Sequence, residues 1–439
     1  MVLSNTSDDN VSVTPVNRLH GELRLPGDKS ISHRAALIAS LARGKSALQN
    51  FSTAQDCQAT LECLKQLGVQ LVNDGSNVVI AGVGANGFKQ PEGELNAQNS
   101  GTTMRLLAGI LAGQNFTSTI TGDESLRSRP MLRLAEPLRL MGAKVELGPN
   151  DCAPVRITGQ HPLKSIRYQP TIASAQLKSA VLLAGLTGDC DVTIKEQTRT
   201  RDHTELLLQT FGSSLNRTDN QIVLSGNNPL RACDVVIPGD VSSAAFFIAA
   251  AIALPGSNLV IHEVGLNPTR TAFLSKLTEL GADINIANKR PQNGEPAGNL
   301  EVSSVPLKNK LPIVVAGSEV SSLIDELPLL AFLAAGIGCA MELRDAAELR
   351  VKECDRITAT VENLKRMGAL IVARDDGWSL AQGSQLHGAE LNSFGDHRIA
   401  MSCAVAALTA EGSSNIEGGR GSVAVSLPEF WNLLEKVSG

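Results

Sequence analysis

The 439-residue chain is poor in aromatic residues, carries no excess of positive charge and has no long uninterrupted apolar segment. Aromatic residues make up 3% of the chain, which argues against the stacking platforms that bind single-stranded nucleic acid. The net charge of −5 argues against broad binding to nucleic acid or to anionic membrane surfaces. We therefore expect small-molecule partners, and neither nucleic acid nor a membrane.

Signals for membrane insertion, export and metal binding are also missing. The longest segment without charged residues, Val241 to His262, contains a proline and several polar residues, which indicates a helix, a turn and a strand. The first ten residues, MVLSNTSDDN, resemble neither a signal peptide nor a transit peptide. The 8 cysteines include no CxxC pair, and HExxH, EF-hand and GxxxxGK[ST] motifs do not occur. We expect a cytoplasmic protein without a metal ion or cofactor.

A helix–strand unit recurs along the chain. Apolar runs at helical spacing end in a glycine and are followed by a strand-like segment, and glycine readily adopts the left-handed conformation that ends helices. Each run is preceded by another helix that starts with small or polar residues and then turns apolar. A sixth copy begins near residue 394. Six units predict two closed domains of three units each, because a closed domain needs no capping repeat. The glycines are Gly68, Gly142, Gly212, Gly281 and Gly368.

Cations lie close to the starts of several predicted helices. Lys29, Arg34, Arg105 and Lys178 fall within the first two turns, where the helix dipole disfavours positive charge. A single Ser, Thr or Asp at such a position is more often an ordinary N-cap than a ligand-binding residue. The concentration of cations favours anion binding at these helix starts. Three-unit symmetry would bring the starts of each domain to one face, and two such faces predict a cleft for a multiply anionic small molecule.

Nine motifs then occur in a recognisable order. Together they resemble the 5-enolpyruvylshikimate-3-phosphate synthases, a family of enolpyruvyl transferases, from about residue 16 to the end of the chain. The motifs are LPGDKSISHRA, NSGTTMRLL, SRPM, SAQLKSA, TRDH, PGDVSSAAF, DELP, RVKECDR and GDHRIAM.

The resemblance implies an α/β fold of two lobes, each with three βαβαββ units that place helices inside and sheets outside. Residues 25–238 would form the first lobe, and residues 1–24 with 239–439 the second, with the active site in the cleft between them. The protein is expected to be a monomer. The implied reaction transfers the enolpyruvyl group of phosphoenolpyruvate to the 5-hydroxyl of shikimate 3-phosphate and releases phosphate, as a step of aromatic amino-acid biosynthesis.

The same resemblance implies residue roles. Asp325 would accept the proton of the 5-hydroxyl, Glu353 would donate a proton, and Lys29 would contact both substrates and belong to the catalytic group. The residues implied for shikimate 3-phosphate are Lys29, Ser30, Arg34, Ser174, Ala175, Gln176 and Arg201, with Lys352 as a further substrate contact. Those implied for phosphoenolpyruvate are Lys29, Gly101, Arg129, Arg356 and Arg398.

Two positions distinguish this chain within the family. Val425 stands where one branch has a lysine that holds phosphoenolpyruvate, so that contact is lost or supplied differently. Gly101 has no side chain, which predicts an unobstructed phosphoenolpyruvate pocket and sensitivity to the analogue glyphosate.

Two other functions remain open on the sequence. UDP-N-acetylglucosamine enolpyruvyl transferases share the fold and use a loop cysteine, for which Cys152 is a candidate, but they carry Lys-Asn where this chain has Lys29-Ser30. A lone cysteine is also more often an inert small residue. A non-catalytic repeat scaffold is disfavoured by charged clusters such as Lys352, Glu353 and Arg356.

Overall fold

The chain folds into two compact units, each with its own hydrophobic core. The first lobe comprises Pro26–Pro238 and Pro291–Glu295, and the second comprises Met1–Leu25, Gly239–Arg290 and Pro296–Gly439. Pro291–Glu295, expected in the second lobe from the family resemblance, therefore belongs with the first, and Leu25, expected in the first lobe, belongs with the second. Residues 1–2 and 6–8 of the expected second lobe, and also 306–311, lie outside the described residues. The structure, a computed structural model, describes residues 3–5, 9–305 and 312–439.

Helices and strands alternate along the described residues. The strands are β1 (Leu3–Asn5), β2 (Val11–Val13), β3 (His20–Arg24), β4 (Arg43–Gln49), β5 (Gln70–Asp74), β6 (Asn77–Val83), β7 (Leu95–Asn96), β8 (Thr117–Thr121), β9 (Lys144–Leu147), β10 (Val155–Thr158), β11 (Ile166–Tyr168), β12 (Val192–Lys195), β13 (Asn216–Arg217), β14 (Gln221–Leu224), β15 (Val235–Val236), β16 (Asn258–Gly265), β17 (Asp283–Gln292), β18 (Glu295–Ser303), β19 (Ile313–Val315), β20 (Met341–Leu343), β21 (Ile371–Arg374), β22 (Gly377–Leu380), β23 (Glu390–Asn392) and β24 (Ser414–Glu417). The helices are α1 (Lys29–Leu41), α2 (Gln55–Gln66), α3 (Gly101–Ala112), α4 (Glu124–Arg127), α5 (Leu132–Leu140), α6 (Ala175–Thr187), α7 (His203–Thr210), α8 (Val241–Ala253), α9 (Ala272–Glu279), α10 (Ser318–Leu323), α11 (Leu327–Gly336), α12 (Arg356–Arg366), α13 (His397–Ala407), α14 (Gly419–Ala424) and α15 (Phe430–Ser438).

The glycines predicted to end helices do so. All of them have positive φ, a conformation that costs other residues a steric penalty because of their Cβ. Each is followed within a few residues by a strand, so the repeated helix–strand boundary read from the sequence is confirmed. The φ angles are +85° at Gly68, +108° at Gly142, +86° at Gly212, +92° at Gly281 and +92° at Gly368.

Each of the six sheets that the described residues form has four strands, with a parallel pair at one edge. In five of them the strand that comes last in the chain lies between the second and the third, whereas in the sheet of β4, β5, β6 and β15 the last strand, β15, is at the edge. The first-lobe sheets have the orders β15-β4-β6-β5, β7-β8-β10-β9 and β11-β12-β14-β13. The second-lobe sheets have the orders β17-β18-β16-β3, β19-β20-β22-β21 and β1-β2-β24-β23.

Strands distant in sequence complete three of these sheets. In the first lobe β15 pairs with β4. In the second lobe β3 pairs with β16, and β2 pairs with β24 so that Val11 lies opposite Ile416. Strands from both ends of a segment therefore share a sheet, and the chain closes each lobe without capping repeats.

The first helix of each unit is buried on nearly all sides. Helices α3 and α6 pack together in the first lobe, and α8, α11 and α13 pack together in the second. Their sequences are apolar around the whole circumference, as in VSSAAFFIAAAIA of α8, which is typical of a helix enclosed by protein. The sheets lie outside, where Val72 of β5 is 67% exposed. The prediction of an α/β fold with internal helices and external sheets is confirmed. No helix among the described residues is long and apolar enough to span a membrane.

Candidate active site

Helix α1 begins with a cation that has a nearby acid. The Asp28 carboxylate caps the helix by accepting a hydrogen bond of 2.9 Å from the Ile31 amide. Lys29 is the first helical residue, and its Nζ lies 2.9 Å from Oδ2 of Asp56 on α2. The Lys29 side chain is 19% exposed. The salt bridge fixes the ammonium at the helix start while leaving part of it open to a ligand.

Arg34, one turn further along α1, is buried among neutral oxygens. Its Nε donates to Thr204 Oγ1 at 2.8 Å, and its two terminal nitrogens donate to the Ser30 carbonyl at 3.0 Å and to Ser179 Oγ at 3.1 Å. Burial, and then the positive charge of Arg201, lower the pKa of Arg34 to about 10. The guanidinium remains charged at neutral pH, and a bound anion would offset the cost of burying it.

The starts of α3 and α6 are joined through one glutamine. Arg105 donates to the Gly101 carbonyl at 3.3 Å and to Gln176 Oε1 at 3.0 Å. The amide nitrogen of Gln176 donates in turn to Thr102 Oγ1 at 2.9 Å. Ser174 caps α6, and its Oγ accepts from the Leu177 amide at 3.4 Å. The predicted Gly101, Ser174, Ala175 and Gln176 are thus brought together at two adjacent helix starts.

Arg129 also lies beside Gly101. A Cβ placed on Gly101 would lie 3.4 Å from a terminal nitrogen of Arg129 and 2.5 Å from one of Arg105. Arg129 is 8% exposed and donates to Asn99 Oδ1 at 2.9 Å and Ser125 Oγ at 3.1 Å. The absence of a side chain at position 101 therefore leaves room for two guanidinium groups at the start of α3.

We define the first-lobe cluster as these residues together with Arg201. It is richer in cations than in carboxylates, which suits recognition of a multiply charged anion. Ser174, Thr198 and Thr200 line a cavity of about 90 Å³. The members of the cluster are Lys29, Ser30, Arg34, Gly101, Arg105, Arg129, Ser174, Ala175, Gln176 and Arg201.

One of the cations expected to favour anion binding has another role. Lys178 of α6 is 1% exposed, and its Nζ lies 3.1 Å from Glu196 Oε1 and 2.8 Å from Glu205 Oε1. Two buried carboxylates therefore compensate the ammonium, and the expectation that a ligand compensates it is wrong. Both acids come from the loop and helix that follow β12.

Asp325, just before α11 in the second lobe, is surrounded by arginines. Its Oδ1 lies 3.6 Å from Arg356, and its Oδ2 lies 3.7 Å from Arg398 and 3.8 Å from Arg270. The Asp325 side chain is 16% exposed. Three positive charges at these distances favour the ionised carboxylate.

Arg356 connects the predicted residues of α12 and α13. Its Nε lies 2.8 Å from Asp396 Oδ2, and its NH2 lies 2.7 Å from Glu353 Oε2. Burial alone would lower the pKa of Arg356, but Asp396 and Glu353 outweigh burial and raise it above its ordinary value. The guanidinium is permanently charged and held in one orientation.

Arg398 and Lys352 complete the second-lobe cluster. Arg398 is the second residue of α13 and donates to the Asp325 carbonyl at 2.8 Å. Lys352 forms no hydrogen bond or ion pair with the residues that the structure describes. Burial, and then the charge of Arg356, lower the pKa of Lys352, against the opposing effect of nearby acids. We define the second-lobe cluster as Arg270, Asp325, Glu326, Lys352, Glu353, Arg356, Asp396 and Arg398.

Arg270 was missed by the sequence analysis. It is 6% exposed, donates to Ser242 Oγ at 2.5 Å and faces Asp325. The signals available were the arginine in NPTR before α9, and the position of Ser242 in PGDVS, which echoes the motif around Ser30. Neither indicates by itself that the two residues meet.

Cys152 is a free cysteine, but its thiol is buried. It is 9% exposed, and its Sγ lies 3.4 Å from the carbonyl oxygens of both Ser128 and Asn150. Val425, the other position singled out from the sequence, directly follows α14. Within the described residues, no three or more His, Cys, Asp or Glu side chains are grouped so as to hold a metal ion.

The six-sheet architecture and the charged helix starts define the class of protein. The structure of the enolpyruvyl transferase NikO from Streptomyces tendae is 18% identical, covers 97% of this chain and 96% of its own, and superimposes with a TM-score of 0.75. The fold is therefore that of the enolpyruvyl transferases.

Residues 13–434 match the family described as EPSP synthase (3-phosphoshikimate 1-carboxyvinyltransferase). The chain belongs to this family, and the predicted resemblance is confirmed. The 3-phosphoshikimate 1-carboxyvinyltransferase of Solibacter usitatus is 44% identical over 97% of this chain and 99% of its own. That of Bacillus licheniformis is 43% identical over 96% and 98%. An EPSP synthase structure from Acinetobacter baumannii is 39% identical, covers 98% of both chains and has a TM-score of 0.86. The prediction of an enzyme is confirmed as well.

Proposed function

We propose that this chain transfers the enolpyruvyl group of phosphoenolpyruvate to the 5-hydroxyl of shikimate 3-phosphate, giving 5-enolpyruvylshikimate 3-phosphate and phosphate. A bond forms between the hydroxyl oxygen and C2 of phosphoenolpyruvate while the methylene carbon gains a proton. Loss of phosphate from C2 and of a proton from the resulting methyl group then restores the double bond. Membership of the EPSP synthase family supports this reaction. The structural observation that carries it is Arg34, a buried guanidinium whose hydrogen-bond partners are all neutral and whose pKa is lowered.

Shikimate 3-phosphate is assigned to the starts of α1 and α6. Arg34 supplies a charge whose protein partners are neutral, and the helix starts supply amide donors to an anion. The positive charge of Arg201 lowers the pKa of Arg34, and we propose that both residues contact the phosphate. The residues proposed for this substrate are Lys29, Ser30, Arg34, Ser174, Ala175, Gln176 and Arg201. Lys352 is proposed as a further substrate contact.

Phosphoenolpyruvate is assigned to the start of α3 and, as the family resemblance implies, to Arg356 and Arg398. Gly101 leaves the first turn of α3 open beside Arg129. Arg356 and Arg398 offer planar donors that suit carboxylate and phosphate groups. The residues proposed for this substrate are Lys29, Gly101, Arg129, Arg356 and Arg398. Because Gly101 adds no bulk, we propose that glyphosate inhibits the enzyme.

The proton transfers are assigned to three residues. Asp325, kept ionised by the surrounding arginines, accepts the proton of the 5-hydroxyl. Glu353, hydrogen-bonded to Arg356, delivers a proton to the methylene carbon. Lys29 stabilises negative charge that develops on the phosphate as the intermediate forms and breaks down.

The decisive experiment measures phosphate release from the two substrates. The chain should release phosphate when both phosphoenolpyruvate and shikimate 3-phosphate are present, and Asp325→Ala should lower kcat by about 100-fold or more. Asp375→Ala, at an exposed turn of the same lobe, is the matched control and should keep wild-type turnover. Undiminished turnover in Asp325→Ala would remove that residue from its assigned role.

A substrate comparison separates this function from that of the sugar-nucleotide enzyme. We expect no turnover with UDP-N-acetylglucosamine, and full turnover of shikimate 3-phosphate by Cys152→Ser. The reverse pattern would support the rival reaction. We further propose that the enzyme acts as a cytoplasmic monomer without nucleic-acid partners, which light scattering of the purified protein tests for the oligomeric state.

A further inference from the structure

Arg270 lies beside the proposed proton acceptor but has no assigned role in substrate binding. Its side chain is 4% exposed. One terminal nitrogen donates to Ser242 Oγ at 2.5 Å, and the other lies 3.8 Å from Asp325 Oδ2. Ser242 in turn donates to Glu326 Oε1. The planar guanidinium therefore spans a neutral hydroxyl and the carboxylate, an arrangement that a lysine cannot reproduce.

The other two arginines near Asp325 also contact other carboxylates. Arg356 is bound to Asp396 and Glu353, and Arg398 also lies 3.3 Å from Glu326 Oε1. Lys352 affects Asp325 electrostatically without a direct ion pair. Under the proposed function Arg356 and Arg398 must share their charge with phosphoenolpyruvate. The anion would then face Asp325, and like charges disfavour the ionised carboxylate.

We propose that Arg270 is a positioning residue that keeps the Asp325 carboxylate ionised and oriented while Arg356 and Arg398 bind the anionic groups of phosphoenolpyruvate. This inference rests on the proposed function, because it takes Asp325 as the proton acceptor. Arg270 acts through Asp325 and not on the substrate. Its loss should therefore change the pH dependence of turnover more than the binding of phosphoenolpyruvate.

The test compares pH profiles of the full-length enzyme from pH 5 to 9. In Arg270→Gln the acid limb of the kcat profile should shift to higher pH by about one unit, which is the effect expected when a nearby opposite charge is lost. The acid limb of kcat/KM should move less, since Arg356 and Arg398 still face Asp325 in the free enzyme. The KM for phosphoenolpyruvate should stay within about threefold of wild type, since the ligand contacts remain.

Three further variants complete the design. Arg270→Lys keeps the charge and should retain the wild-type acid limb with a lower kcat. Ser242→Ala removes the hydroxyl that holds the guanidinium and should shift the limb in the same direction as Arg270→Gln. Arg344→Gln loses a 54% exposed arginine of the same lobe and should leave kcat, KM and the profile unchanged. If Arg270→Gln does not fold, the acid limbs of the kcat profiles of Arg270→Lys and Ser242→Ala test the inference instead.

Results that overturn this inference can be distinguished from a result that overturns the proposed function. Superimposable kcat profiles for wild type and Arg270→Gln would overturn the inference. So would a KM for phosphoenolpyruvate raised more than about tenfold without a shift of the limb, because that marks a direct anion contact. Failure of the wild-type chain to release phosphate from the two substrates would overturn the proposed function itself, and this inference with it.

Discussion

The Nζ atom of Lys178 lies 2.8 Å from Oε1 of Glu205, and each side chain is 1% exposed. Burial raises the pKa of Glu205, and the charge of Lys178 acts in the opposite direction. Glu196 is the second acid of this group, and its Oε1 also accepts from the Thr200 amide at 3.1 Å. The group thus ties helix α6 to the loop that leads to Arg201.

Replacing Lys178 with Met should destabilise the protein, because it leaves two buried carboxylates without their cation. We expect a loss of about 3 kcal/mol in the free energy of unfolding at pH 8. A carboxylate whose pKa is raised in the folded state costs stability as pH rises through that pKa. The loss should therefore be smaller at pH 5 than at pH 8.

Urea denaturation followed by circular dichroism at the two pH values measures this difference. The exposed Lys65→Met, which breaks a surface pair with Glu62, should change the free energy of unfolding by no more than about 0.5 kcal/mol. Equal losses at pH 5 and pH 8 in Lys178→Met would show that the charge of Glu205 is not the cause.

Arg34→Met should separate stability from substrate binding. The buried guanidinium has a lowered pKa, so its charge opposes folding of the free protein, and an apolar replacement should alter unfolding by no more than about 1 kcal/mol. Shikimate 3-phosphate at 100 times its Kd should stabilise wild type by about 2.7 kcal/mol and should not stabilise the variant. Thermal unfolding with and without the ligand measures both, with the exposed Arg43→Met as control. Retained stabilisation by the ligand would contradict the assignment.

Gly101→Ala should weaken binding of phosphoenolpyruvate and of glyphosate. The new Cβ would lie 2.5 Å from a terminal nitrogen of Arg105, so that flexible side chain must move away from position 101. We expect the KM for phosphoenolpyruvate and the inhibition constant of glyphosate to rise about tenfold, equivalent to about 1.4 kcal/mol. Gly93→Ala, where an added Cβ meets nothing within 4 Å, should leave both constants unchanged. An unaltered inhibition constant in Gly101→Ala would show that glyphosate does not bind beside Gly101.

His33→Gln should reduce the acid sensitivity of folding. His33 is hydrogen-bonded to Thr60 Oγ1 at 2.6 Å, and burial, followed by the charges of Lys29 and Arg34, lowers its pKa well below 6.5. Below pH 6.5 the unfolded chain binds a proton that the folded chain does not, so stability is lost as pH falls. Between pH 7.5 and 5.5 the variant should lose about 1 kcal/mol less than wild type. Exposed His20→Gln is the control, and identical slopes for His33→Gln and wild type would refute the prediction.

Features set by neighbouring residues were predictable from the sequence. The glycine that ends α2, Gly68, is recognisable because a helix end needs a residue that tolerates positive φ. The capping of α1 by Asp28 and of α3 by Ser100 likewise follows from short polar side chains before an apolar run. Six copies of this local pattern predicted the repeated fold that the sheets display.

Features set by distant residues were not predictable in this way. Nothing near Lys178 indicates that Glu196 and Glu205 neutralise it, whereas Arg34, with a similar position in its helix, is left among neutral oxygens. Arg270 and Asp325 lie close together in the fold although they are more than fifty residues apart in the sequence. The family motifs named Asp325 as a site residue but gave no sign of this partner.

The sequence by itself determined the repeated helix–strand unit, the helix starts and the identity of the motif residues, because periodicity, capping and turn formation depend on a few consecutive side chains. Only the tertiary structure decided which strands complete each sheet and which buried charges are neutralised within the protein. Those outcomes depend on the distance between atoms from remote parts of the chain, and electrostatic and hydrogen-bond energies in a buried site change steeply over a few ångströms.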